Sequence, residues 1–136
     1  MRMRTAAALA ALLTAGLVPL AGTASAAPAR YADDFNGDGS HDLATAAPGA
    51  TVGGKARAGA VVVTYGSQSG VRASRRTVVT QNSAGVPGTA EKDDAFGSAL
   101  AFGDLNRDGY ADLVVGAEGE DGEAGSVTIV WGARRA

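Results

Sequence analysis

The sequence predicts an all-β fold of short antiparallel strands, and three observations lead to it. The 136 residues include 20 glycines, and beyond the first 26 no stretch shows the roughly 3.6-residue apolar period of an amphipathic helix. Short runs rich in Val, Thr and aromatic residues stand between glycines and prolines, as strands bounded by turns do. A polar block at residues 34–43 recurs 70 residues later, so the chain is built from a duplicated unit.

The opening residues read as a leader rather than as part of that unit. Met1-Arg2-Met3-Arg4 is basic, residues 5–21 are apolar apart from Gly16 and Pro19, and Ala24-Ser25-Ala26 is a small-x-small pattern. Basic, apolar and small-residue regions in this order make a secretory signal peptide. The apolar run falls short of the roughly 20 residues that span a bilayer. Cleavage is expected after Ala26 or Ala27, leaving residues 27–136 as a secreted, extracellular domain with no membrane segment. Without Arg2 and Arg4 the formal charge moves from −2 to −4. There is no cysteine, so disulfides cannot stabilise this small exported domain, and bound metal is the obvious alternative. Arg72, Arg75 and Arg76 form only a small cluster, which excludes a nucleic-acid surface. The composition, rich in Ala, Gly and Arg, is associated with bacteria of GC-rich genome.

The duplication can be followed residue by residue. Residues 34–43 and 104–113 both read D-x-N-x-D-G-x-x-D-L. Further on, GAVVVTYG at 59–66 matches GSVTIVWG at 125–132 with an offset of 66, so the second repeat has a shorter linker. The repeats extend over about 30–80 and 95–136. Within them, residues 43–46 and 113–116 are short apolar strands closed by Gly or Pro. Residues 60–65 and 126–131 are Val-, Thr- and aromatic-rich strands. Residues 77–80 and 98–103 are further strands, and 66–70 and 81–90 are turn-rich connectors.

The repeated blocks have the composition of calcium loops. A hard cation takes about six to eight oxygens at roughly 2.3–2.6 Å, and alternate positions of a tight loop converge on one point. Asp34, Asn36 and Asp38 supply positions 1, 3 and 5, as do Asp104, Asn106 and Asp108. Gly39 and Gly109 occupy position 6, where a sharp turn calls for positive φ. The carbonyls of Ser40 and Tyr110 at position 7, with Asp42 and Asp112 at position 9, complete each set. Six of the fourteen acids are thus gathered in two loops, where carboxylates without a cation repel one another. The same residue types also build Asx turns that hold no metal, but recurrence of all five polar positions and the glycine favours two structural Ca²⁺ sites. An EF-hand is excluded, because position 12 is Thr45 or Val115 within an apolar strand rather than Glu before a helix. Dockerin-like pairs fail for want of helices.

Together these residues resemble the FG-GAP repeat, the blade unit of the β-propeller in integrin α-subunits. Phe96-Gly97 opens FGSALAFGD at 96–104, and Gly116-Ala117-Glu118 stands where the family has Gly-Ala-Pro. The first repeat keeps the proline in Ala46-Ala47-Pro48 but has no Phe-Gly ahead of Asp34. The resemblance implies blades of four antiparallel strands with the calcium hairpin between the first two. On that pattern the chain holds the last three strands of one blade and the first three of the next, two partial blades of an incomplete propeller. Propellers close with roughly four to eight blades, so sheet faces and strand edges are expected to be exposed. Self-association, pairing with further blades, truncation from a longer propeller, or a metal-stabilised two-blade unit would each answer this. Further D-x-N-x-D-G loops encoded past Ala136 would mean truncation.

No catalytic residues are expected. His41, the only histidine, sits at position 8 of a loop where its counterpart is Ala111, with no nucleophile of a triad beside it. No Gly-x-Ser-x-Gly elbow is present, and Val52-Gly53-Gly54-Lys55 lacks phosphate-loop spacing. The acidic stretch 118–123 reads as a solvated connector. Phe96, Phe102, Tyr65 and Trp131 are expected to pack between blades. Two functions fit: a secreted calcium-binding adhesion or binding module for a protein or carbohydrate ligand, or an accessory segment of a secreted hydrolase.

Overall fold

The computed structural model describes residues 31–134; the leader expected over residues 1–26 lies outside them. Six strands follow in order: β1 (Leu43–Ala47), β2 (Ala60–Thr64), β3 (Arg76–Val79), β4 (Phe96–Gly103), β5 (Asp112–Ala117) and β6 (Ser126–Val130). They form two antiparallel sheets, β1-β2-β3 and β4-β5-β6. Every strand expected from the sequence is present, with its ends moved by at most two residues. Hairpin connections join sequential neighbours, so each repeat makes its own sheet.

Alternation along the strands gives each sheet two faces. In the first sheet Val61 stands beside Val79, and Val63 beside Ala44, on one face; Leu43, Thr45, Val62 and Val78 are on the other. In the second, Val115 is flanked by Leu100 and Thr128, and Leu113 by Phe102 and Val130. The two sheets pack so that Val61, Val63 and Val79 join Phe96, Leu113, Val115 and Ala117 in one core. Phe35, from the first loop, is buried in the same cluster.

The Phe96-Gly97 pair shows why these two residue types open β4. Phe96 is fully buried, the largest side chain to be so. Its backbone makes a parallel bridge with Gly59, and its N–H donates to the Ala58 carbonyl at 3.0 Å, at the end of the β1–β2 connection. A Cβ on Gly59 would lie 2.2 Å from the Phe96 carbonyl oxygen, so only glycine permits the approach. Gly97 has φ +94° where the β4–β5 register slips between Phe96 and Ala99, a bulge that turns the strand after its anchor.

Two expectations are corrected. Phe102 and Trp131 are exposed rather than packed between sheets. Phe102 meets Phe35 edge-on, centroids 6.0 Å apart, with its remaining surface open, and Trp131 follows β6. The acidic stretch 118–123 joins β5 to β6 through exposed or half-exposed residues, with a tight turn at Glu120–Glu123 in which Asp121 and Gly122 are left-handed. Among the described residues no helix is long and apolar enough to cross a membrane.

Candidate metal centres

Each loop wraps around the side chain at its first position. In the first, Asp34 Oδ1 accepts the N–H groups of Gly37 (2.7 Å) and Asp38 (3.1 Å), while Oδ2 accepts Gly39 N–H (2.9 Å). Asn36 Oδ1 accepts Asp38 N–H at 2.9 Å, and its Nδ2 donates to Asp38 Oδ2 at 3.1 Å. Asp38 Oδ1 in turn accepts Ser40 N–H at 2.9 Å.

The second loop repeats this pattern. Asp104 accepts Asp108 N–H (3.0 Å) and Gly109 N–H (3.1 Å) on its two oxygens. Asn106 accepts Asp108 N–H at 3.1 Å and donates to Asp108 Oδ2 at 2.8 Å; Asp108 Oδ1 accepts Tyr110 N–H at 2.9 Å. Gly39 and Gly109 have φ +79° and +92°, the left-handed turn expected at position 6. Position 4 is left-handed too, at Gly37 (+71°) and Arg107 (+62°), a requirement that composition does not announce because Arg fills it in one repeat.

The position-9 carboxylates do something the linear sequence did not reveal. Asp42 Oδ2 accepts Phe35 N–H (2.9 Å) and Oδ1 accepts Gly66 N–H (2.8 Å). Asp112 does the same with Leu105 N–H (2.9 Å) and Gly132 N–H (3.0 Å). Both are buried, and each ties the start of its loop to the end of the strand that pairs with the one following the loop, β2 for Asp42 and β6 for Asp112. Burial pushes the Asp42 carboxyl above its usual range, opposed by the Gly66 and Phe35 N–H groups and assisted by the charges of Asp34 and Asp38. At Asp38 burial also works upward, but hydrogen bonds from Asn36 and Ser40 and the charge of Arg75 outweigh it and hold the carboxyl low. The Arg75 guanidinium lies 3.7 Å from Asp38 Oδ2 and donates to the Gly66 carbonyl at 3.0 Å.

The loops touch one another across the two sheets. Ala111 N–H donates to the Asp34 carbonyl at 2.8 Å, and Ala133 N–H to that of Phe35 at 3.2 Å. The ring of Tyr110 lies against Gly37, where an added Cβ would come within 2.4 Å of it. His41 points elsewhere: it is exposed, hydrogen-bonded to Asp33 at 2.8 Å and lies tilted at 35° against the Tyr31 ring, centroids 4.0 Å apart.

The donor set suits a hard divalent cation: carboxylate and amide oxygens at alternate positions, and a carboxylate offers about four lone-pair sites, more than the N–H groups use. Among the described residues, no three acidic or imidazole side chains converge as a ready-made metal cluster, because Asp34 and Asp104 are turned onto backbone N–H groups. Elsewhere a cleft of about 580 Å³ is lined by Glu91, Asp93 and Asp94 of the segment between the repeats and by Glu118, Asp121 and Glu123 of the second repeat, with Arg57 paired to Asp93 at 3.2 Å.

The FG-GAP repeat model matches residues 32–64, the first loop with β1 and β2, and 96–130, the second loop with all three strands of its sheet. The chain belongs to the FG-GAP repeat family. As an FG-GAP protein it is 35% identical over 106 residues to phosphatidylinositol-glycan-specific phospholipase D of Mus musculus, covering 75% of this chain and 12% of that protein. The Rattus norvegicus phospholipase D matches at the same identity and coverage. Integrin alpha-5 of Xenopus laevis is 39% identical over 89 residues, 65% of this chain and 8% of that protein. These FG-GAP repeats therefore correspond to a small part of each relative. No solved structure gives a significant match.

Proposed function

We propose that the chain is an exported FG-GAP module that binds two calcium ions and serves binding or adhesion rather than catalysis. The observation that carries this reading is the correspondence of the two loops: the same side-chain oxygens accept from the same backbone N–H groups at the same positions. Asp34, Asn36, Asp38, the Ser40 carbonyl and Asp42 would hold one ion; Asp104, Asn106, Asp108, the Tyr110 carbonyl and Asp112 the other. Calcium would neutralise the crowded carboxylates and lock the hairpins, a structural role. The leader-like first 26 residues support export. The match to integrin alpha-5 supports a binding or adhesion role, for which the ligand proposed is a protein or carbohydrate. Titration calorimetry with calcium is expected to give two ions per chain, and Asp104→Ala one. Silent titrations would refute the calcium reading.

The phospholipase D matches favour a second reading, in which the module accompanies a hydrolase. Under either reading this chain alone should not cleave a phosphatidylinositol-glycan substrate. Measurable turnover by the purified chain would overturn the non-catalytic assignment.

A further inference from the structure

The internal repeat makes the buried contact between the two sheets a guide to what their outer faces lack. On the first repeat's side that contact is built from Phe35, Val61 and Val63, with Tyr65 packed alongside. Their counterparts in the second repeat are Leu105, Val127, Ile129 and Trp131. Those four are apolar and yet 52, 72, 40 and 55% exposed. They lie on or beside the outward face of the β4-β5-β6 sheet, where Val114 stands beside Ile129 and Gly116 beside Val127.

The complementary half of the contact is also repeated. Leu113 and Val115, which receive Val61 and Val63 in the core, correspond to Leu43 and Thr45. Leu43 is 52% exposed, on the outward face of the first sheet with Val62 and Val78. One molecule thus displays counterparts of both halves of the contact it makes internally, apart from Phe96 of β4, which has none in the first repeat.

From this we infer that the outward face of the second sheet docks head-to-tail on the outward face of the first sheet of a second copy of this chain. The loops favour a copy as the occupant. At the internal contact the large Tyr110 at position 7 lies on the small Gly37 at position 4. Between copies, the large Arg107 at position 4 would meet the small Ser40 at position 7, so bulk is exchanged across the contact rather than doubled. Ala111, buried where the internal contact forms, corresponds to the exposed His41, which would be covered in the same way. Because the two faces differ, the interface is heterologous, and it closes into a ring if the rotation per copy allows. With two blades per copy, the roughly four to eight blades of closed propellers correspond to two to four copies. The inference rests on the packing of the two sheets and the internal repeat, and it does not depend on the calcium reading.

Light scattering on the full chain, expressed with its own leader, tests this at about 50 µM, a concentration that populates an interface of micromolar Kd. The wild type is expected at two to four times the monomer mass, and Val127→Glu and Leu43→Arg each at the monomer mass. Mixing these two variants should restore a one-to-one dimer, since each retains the face the other has lost. If either variant melts early, Ile129→Arg or Thr45→Arg replaces it on the same face. A monomeric wild type overturns the inference. Dissociation by Val127→Glu but not Leu43→Arg, or a mixture that stays monomeric, overturns the head-to-tail pairing.

Discussion

Asp42 and Asp112 close the two loops by the same means, each giving both carboxylate oxygens to backbone N–H groups from distant parts of its repeat. Removing the carboxylate leaves two donors without acceptors, and the cost follows from desolvation of those groups. Asp112→Ala should destabilise the fold by about 3 kcal/mol in chelator, Asp112→Asn by less because one acceptor survives. Urea midpoints check this, and chelator separates the bracket from any metal ligation by the same residue. Asp38 and Asp42 make opposite contributions to the pH dependence. The folded-state pKa of Asp38 lies below its unfolded value of 3.8, so its stabilisation is present above that value and lost as pH falls through the folded one. Asp42 is raised, so its penalty is present at neutral pH and relieved as pH falls through the folded value. In chelator, Asp38→Asn should therefore lose less stability than wild type on acidification below about pH 4, read from the same midpoints. A wild-type acid limb in the variant would contradict this assignment.

Strands β2 and β6 were legible in the sequence because they are Val- and Thr-rich runs between glycines, and the repeat allowed β1 to be checked against β5 and β2 against β6. Loop chemistry was legible for the same reason: Asp, Asn and Gly positions recur together. What was not legible depends on groups far apart in sequence. Gly132 lies 20 residues from Asp112, and its N–H reaches that carboxylate only once β5 and β6 pair. The exposure of Phe102 and Trp131 was missed because an aromatic in a strand marks a core only if something lies beyond it. The Phe-Gly start of β4 was recognisable as a pattern, but its reason is the contact with Gly59. At Gly59 a methyl group would strike backbone that cannot move without breaking the bridge, at a φ of +89° that L residues rarely adopt. Gly59→Ala should cost at least about 2 kcal/mol, beyond what ordinary glycine replacement in a strand does. A variant with a wild-type urea midpoint would mean that the close approach does not hold the sheets together.

At the scale of the whole molecule, two three-stranded sheets share one small core, without disulfides and with apolar residues on both outer faces. Such a domain is short of stabilising interactions for its size, and six carboxylates drawn into two loops add mutual repulsion. Both problems have one remedy if the loops take up calcium: binding to the folded state alone stabilises it in proportion to the logarithm of ligand concentration over Kd. Covering of the outer faces by a second copy would add to this without replacing it. The measurement that tests the calcium-ordered pair of blades most directly is the thermal melt of the full chain in calcium and in chelator. Tm is expected to rise with calcium, and Asp108→Ala should remove most of that gain; superimposable melts of the wild type in calcium and chelator would contradict it.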